Sequence, residues 1–293
     1  MIICIVGPTG VGKTKLSVEL AKKYNAIIAN CDSMQVFKRL DIGTAKVTEA
    51  EKEGIPHYLF DIKEPTEEYT VYDYQKDLRK LIEEHKKENI IIVGGTGLYL
   101  KAALYDYRFP TEDKPKQDFS KYTNDELYEM VLKKDPNTQI HKNNRTRLER
   151  FLNKEDIEMV EPKKLYDHLI IGLTTSRDKL YERINNRVDI MIKNGLLEEV
   201  KSLYNENVRT KPLTGGIGYK ELYEYFDSKI SLEEAIDKIK QNSRHYAKRQ
   251  YTFFNNQLDV KWFDVDFTDF NKTINEVEKY IEGENNDWSK KRF

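Results

Sequence analysis

The segment Gly7-Pro8-Thr9-Gly10-Val11-Gly12-Lys13-Thr14 gathers three glycines, a lysine and a terminal hydroxyl residue into eight positions. Glycines let successive backbone N–H groups turn toward one anion, and a helix beginning there adds the positive end of its dipole. Lys13 contributes a point charge, and the Thr14 hydroxyl can hold Mg²⁺, so the run reads as a phosphate-binding loop rather than an ordinary glycine turn. Its context agrees. The apolar Met1–Val6 stretch leads into it, and Lys13–Tyr24 carries Leu16, Leu20 and Ala21 on one helical face.

The owner of that phosphate must come from other residues. A kinase or ATPase usually places an aspartate at the end of a second strand to help hold Mg²⁺. Here the apolar Ile90–Val93 ends in Gly94-Gly95-Thr96-Gly97, with no carboxylate. The strand-end carboxylate facing the loop is instead Asp32, in Asp32-Ser33-Met34-Gln35. The carboxyl ends of parallel strands share one crevice, which puts Asp32 beside the bound phosphates. Its other readings are a helix N-cap or a Mg²⁺ ligand. Arg183 and Arg187 stand four apart on an expected helix and share a face, where they could clamp a diphosphate or pair with surface acids such as Glu182. Arg244, Tyr246, Lys248, Arg249 and Tyr251 interleave cations with aromatics, a mixture suited to RNA phosphates and bases.

These groups need a frame. Apolar runs at Met1–Val6, Ala26–Cys31, Ile90–Val93, His168–Leu173 and Val260–Val265 alternate with helical patterns at Lys13–Tyr24 and Leu78–Lys87, which predicts an α/β fold: a P-loop NTPase-like parallel sheet flanked by helices. Between Pro110 and Pro162 the chain turns polar and is broken by Pro115 and Pro136, while Leu127, Met130, Val131, Leu148, Phe151 and Leu152 recur at helical spacing. This predicts a discontinuous core over 1–110 and 163–293 with an all-helical insertion over 111–162. Leu180–Ala247 also reads as helical, which makes the helices within 196–240 a candidate extension of the insertion. Beyond Glu276 a helix with a frayed end is expected.

Composition sets outer bounds. With 34% charged residues over 293 positions and a mean hydropathy of −0.74, the surface is heavily solvated, and no apolar run is long enough to span a bilayer. No secretory leader is evident, and Cys4 and Cys31 sit in apolar runs as reduced core residues, so a cytoplasmic location is expected. A net charge of −1 argues against non-specific nucleic-acid binding. Local stripes run against the bulk figure: Lys238 to Leu258 holds five Lys or Arg and no acid, and Lys142, Arg145, Arg147 and Arg150 form a second cluster.

Taken together, the motifs resemble one family, the tRNA dimethylallyltransferases, from Ile2 to about Phe254. Besides the P-loop, the similar segments are Asp32-Ser33-Met34-Gln35-Val36-Phe37, Asp41-Ile42-Gly43-Thr44-Ala45-Lys46, Pro56-His57, Asp61-Ile62 and Gly94-Gly95-Thr96-Gly97-Leu98-Tyr99. Ile217-Gly218-Tyr219-Lys220-Glu221 and Arg244-His245-Tyr246-Ala247-Lys248-Arg249-Gln250 complete the set. Lys142 replaces the family's usual proline, Phe151-Leu152-Asn153 its usual small-residue form, and Phe253 its usual tryptophan. The resemblance implies transfer of a dimethylallyl group from dimethylallyl diphosphate to N6 of the adenosine just 3′ of the anticodon, with release of diphosphate.

In that scheme Gly7 to Thr14 hold the diphosphate with Mg²⁺ on Thr14, and Arg183 or Arg187 meets it. Asp32 is the general base. Ser33, Met34 and Gln35 with Asp32, together with Thr96, contact the tRNA. So do Thr146, Arg147, Leu148, Glu149 and Arg150 in the insertion, and Arg244 and Lys248. The implied partners are the tRNA anticodon stem-loop and dimethylallyl diphosphate, with no membrane, and a monomer is expected. A nucleotide kinase, a prenyltransferase acting on free adenine nucleotides, and a nucleotide-switched RNA-binding protein are the alternative readings.

Overall fold

Short runs of isoleucine and valine, buried on both sides, favour parallel strands whose helical crossovers cover each face. The computed structural model, which describes residues 1–109, 117–153 and 163–290, shows one such sheet. Its strands are β1 (Ile2–Val6), β2 (Ala26–Asn30), β3 (His57–Tyr58), β4 (Asn89–Val93), β5 (His168–Thr174) and β6 (Lys261–Asp264), all paired in parallel in the order β3-β2-β4-β1-β5-β6. Every residue of β1 and β2 is buried. The five strands read from apolar runs are present. The two-residue β3 has no apolar run, and only its pairing with Ile28 and Ala29 makes it a strand.

Helices cover both faces. Tyr74, Leu78, Leu100, Leu104 and Phe254 fill one side, and Leu16, Leu20, Leu180, Ile184, Val277 and Ile281 the other. Helix Lys13–Tyr24 lies where its apolar spacing predicts. The helix expected over Leu78–Lys87 instead runs Val71–Glu84, because Thr70 and Asp73 form a reciprocal capping box that starts it seven residues before Leu78. Likewise the last helix, Phe270–Lys290, begins before Glu276, since Ile274, Val277 and Ile281 are buried along its inner face. Among the described residues no helix is long and apolar enough to cross a membrane.

Contacts divide the chain into two units, Met1–Asp106 with Lys164–Phe293, and Tyr107–Lys163. The candidate extension of the insertion into 196–240 does not match this division. Helices Leu196–Asn205 and Tyr219–Phe226 belong to the larger unit, where Leu196, Val200, Tyr219 and Leu222 bury Val36 and Leu40 from the segment after β2. In the smaller unit, helices Asn124–Lys134 and Arg145–Leu152 close on Phe119, Leu127, Val131 and Leu148. Pro110, Pro115 and Pro162 lie outside the described residues.

Candidate active site

The phosphate loop leaves β1 through backbone that only glycine adopts freely. Gly7, Gly10 and Gly12 have φ of 137°, 86° and 94°. A side chain at Gly7 would also strike the Leu173 carbonyl oxygen at 2.5 Å, so the loop can lie against β5 only because that residue has no Cβ. Gly12 is the N-cap of helix Lys13–Tyr24, with no side chain occupying its first N–H groups. Lys13 Nζ donates to the carbonyls of Gly7 (2.9 Å) and Pro8 (2.7 Å). Burial, and then the charge of Arg187, pushes the Lys13 ammonium down to about 7, against the opposing pull of Asp32.

Asp32 is set by the residues on either side of it. Asn30, fully buried at the end of β2, accepts from Asp32 N (2.8 Å) and donates to the carbonyls of Asp32 and Leu59 (3.0 Å each). The Asp32 side chain closes a turn by accepting from Met34 N (2.9 Å) through Oδ1. Its other oxygen takes no hydrogen bond from the described residues. Asp32 is therefore not the helix N-cap of the alternative reading, since a turn follows and the next helix begins only at Glu49; one oxygen caps that turn, and the second remains available for chemistry. Asn30 escaped the sequence reading because it looks like any polar strand terminus. Its burial and three hydrogen bonds reveal its role.

Thr96 closes the floor. Its Oγ1 accepts from Ser33 N (3.0 Å) and its own N–H donates to the Cys31 carbonyl (3.0 Å). The approach is so close that a Cβ at Gly94 would fall 2.1 Å from the Cys31 oxygen. Behind it, buried Gln250 donates to the Gly95 carbonyl (3.0 Å). Tyr246 faces this floor as well, and burial followed by the charge of Asp32 raises its phenol. Gln35 ties back to the carbonyls of Thr44 (3.0 Å) and Ala45 (3.4 Å), and Met34 packs beside Gly216.

The two arginines separate in role. Arg183 is exposed, donates through Nε to the Gly10 carbonyl (2.8 Å) and lies 3.9 Å over the Phe267 ring. Arg187, one turn on, is half-buried; desolvation lowers its guanidinium, and the charge of Asp32 counters this. Neither pairs with an acid within 4.0 Å among the described residues. The structure therefore brings Lys13, Arg187 and Asp32 to one place at the carboxyl ends of β1 and β2, with Arg183 on the loop's outer side. Two half-buried cations within reach of each other's charge, with a single carboxylate near them, could cradle a multiply charged anion.

The chain is similar to known proteins of one kind. Residues 35–257 match the family model described as IPP transferase. A tRNA dimethylallyltransferase of Anoxybacillus flavithermus is 49% identical over 299 residues, covering 96% of each chain. The chain belongs to the IPP transferase family. Among solved structures, the full-length tRNA isopentenylpyrophosphate transferase of Bacillus halodurans is 41% identical with a TM-score of 0.78, covering 99% of this chain and 98% of that one. A eukaryotic dimethylallyltransferase acting on tRNA is 29% identical with a TM-score of 0.81, over 96% of this chain and 79% of that one.

Other motifs tie the frame together. Glu199 accepts from the backbone N–H groups of Asp41 (2.9 Å), Ile42 (2.7 Å) and Gly43 (3.0 Å) and from the Tyr219 hydroxyl (2.7 Å). Lys46 donates to the Phe37 carbonyl and to Asp41 and Asp61. Glu221, 1% exposed, accepts from Gly218 N and Asn242. These segments clasp the loop after Asp32 and do not themselves reach the cradle.

One expected RNA contact needs correction. Leu148 is fully buried in the smaller unit's core, because the helix Arg145–Leu152 needs an apolar anchor; its side chain cannot meet RNA. Glu149 pairs with Arg145 (2.6 Å) and keeps part of its side chain exposed. Thr146, Arg147 and Arg150 remain exposed on that helix. The cation–aromatic stripe on helix Leu232–Gln257 divides: Tyr246 turns to Thr96, and the Tyr251 hydroxyl bonds Thr174 (2.9 Å) with its ring against Trp262. Arg244 is held by Asn185 (2.6 Å), and Lys248 is exposed.

Proposed function

We propose that this chain transfers a dimethylallyl group from dimethylallyl diphosphate to the exocyclic amine of an adenosine in the tRNA anticodon loop, the one just 3′ of the anticodon. The observation that carries the reading is the free oxygen of Asp32 held beside Lys13 and Arg187. On this reading the oxygen is the proton acceptor and the two cations meet the leaving diphosphate. Family membership and the activities named for the relatives support the same reaction class.

The amine lone pair of adenine is delocalised into its ring, so attack on the allylic carbon needs both a good leaving group and a place for the proton. As the new C–N bond forms, the C–O bond to diphosphate breaks and its electron pair leaves on oxygen. The loop amides, Lys13 and Arg187 stabilise that charge where it develops. Lys13, seated on the Gly7 and Pro8 carbonyls without ligand, exchanges these for phosphate oxygens. Asp32 takes the amine proton, a role worth roughly 10²–10⁴-fold. The adenine must first leave its stack to enter the crevice.

Mg²⁺ fits this donor set. No cluster of three or more His, Cys, Asp or Glu capable of holding a metal exists among the described residues, and Thr14 presents a hard hydroxyl oxygen at the first turn of the loop's helix. That suits an ion held mainly by water and ligand phosphates. When bound, it would neutralise diphosphate charge. The proposal extends to a monomer acting in the cytoplasm.

The test uses the full chain, Mg²⁺ and labelled dimethylallyl diphosphate, with unmodified tRNA or AMP as acceptor. Label should enter tRNA, and Asp32→Asn should lower turnover by about 10²-fold or more while donor binding persists. Label entering AMP alone, or undiminished turnover by Asp32→Asn, would overturn the assignment.

A further inference from the structure

A second cleft lies one strand away from the phosphate loop. It occupies about 500 Å³ beyond the end of β5, between the first turns of helix Arg177–Lys193 and the last turns of helix Leu232–Gln257. Its walls are Thr175, Arg177, Tyr181, Lys248, Thr252 and Asn255, with Leu180, Tyr251 and Asn256 completing them. None of Lys13, Thr14, Asp32 or Arg187 lines it.

The lining is one-sided in charge: two cations, no carboxylate, and a ring of neutral hydrogen-bonding groups. Arg177 and Lys248 make no ion pair among the described residues, so neither cation is neutralised there. Arg177 lies 5.1 Å from the Tyr181 ring centroid, and Arg244 approaches the same ring at 5.9 Å, which keeps a third positive charge nearby. Such a field selects an anion. The volume far exceeds a single phosphate, and Thr175, Thr252, Asn255 and Asn256 offer donors and acceptors for ribose hydroxyls and base edges. On these grounds we propose that the cleft is a second ligand site, which binds one nucleotide unit with its phosphate between Arg177 and Lys248. Two sources share this chemistry: a nucleotide within the RNA chain, or a free nucleotide. The inference stands independently of the chemistry assigned to Asp32.

Two variants probe it. Arg177→Ala removes an exposed cation. Asn255→Asp keeps Oδ1, which accepts from Trp262 Nε1 (2.9 Å), while putting a negative charge into the cleft. The phosphate loop is first saturated with inorganic diphosphate and Mg²⁺, and AMP is then titrated by calorimetry into the full chain. AMP should still bind, and each variant should weaken it about tenfold while leaving diphosphate affinity and thermal melting unchanged. Parallel titrations with an unmodified anticodon stem-loop RNA distinguish the sources. A matching loss of RNA affinity assigns the cleft to the RNA chain, and an unchanged RNA affinity assigns it to free nucleotide. The site is refuted if diphosphate abolishes AMP binding, or if both variants bind AMP as tightly as the unaltered protein.

Discussion

Replacing Glu199 by glutamine keeps the side chain's shape and should still be costly. One carboxylate oxygen accepts from Asp41 N and Ile42 N, and the other from Gly43 N and the Tyr219 hydroxyl. An amide has one acceptor oxygen, so whichever way it turns, its NH₂ meets at least one fixed N–H donor and two of the four bonds to the carboxylate are gone. Hydrogen bonds to a charged acceptor contribute about 1.5–3 kcal/mol each. Two are lost, water replaces part of them at this half-buried position, and the remaining pair weakens once the charge is gone. The expected loss is about 2–3 kcal/mol, or roughly 3–5 °C in Tm for a chain of this size. Urea unfolding and thermal melting would measure it, with Glu198→Gln on the exposed side of the same turn as a control near zero. Turnover should fall as well, since the Thr44 and Ala45 carbonyls of the clasped loop hold Gln35. If Glu199→Gln is as stable as the unaltered protein to within about 0.5 kcal/mol, the clasp contributes nothing and the reasoning fails.

Gly94→Ala should cost about 3 kcal/mol or more, because its Cβ would sit 2.1 Å and 2.2 Å from the backbone oxygen and carbon of Cys31. Gly283→Ala, with nothing within 4 Å on an exposed helix face, should instead stabilise by about 0.5–1 kcal/mol; paired urea curves check both. Lys13, held at about 7 in the free protein, is ordinarily protonated up to about 10.5 when unfolded. The unfolded state therefore binds more protons between these values, and stability of the ligand-free protein should rise with pH through that window. A bound diphosphate restores the ammonium, so binding should take up close to one proton at pH 8 and none at pH 5.5, measurable by calorimetry in buffers of different ionisation enthalpy. Leu148→Ala should cost the smaller unit about 2–5 kcal/mol, seen as faster hydrogen exchange in helix Arg145–Leu152 with the sheet unaffected.

The strands, the glycine-rich loop and the place of Asp32 just past a strand end were legible in the sequence, because each follows from local pattern. Apolar runs make buried strands wherever they sit, and glycines at Gly7, Gly10 and Gly12 prescribe backbone that few other residues adopt. The start of helix Val71–Glu84 was equally local, and its Thr70–Asp73 box was there to be read. The short β3 was not, since a two-residue strand exists only through its partner. Nor could composition separate a solvated basic residue from an anchored one: Arg145 and Arg147 look alike in sequence, but only the first is tied to the carbonyls of Phe119 and Tyr122.

What the sequence determined by itself was the chemistry on offer: an anion loop, a strand-end carboxylate, arginines one helical turn apart. Tertiary structure decided how these are used, because burial and direction are properties of packing between distant segments. It turned Arg187 inward and Arg183 onto the loop, left one oxygen of Asp32 unoccupied, and spent Glu199, Glu221 and Leu148 on holding the frame. It also opened a basic cleft between two helices that stand some seventy positions apart in the chain, where no motif marks it.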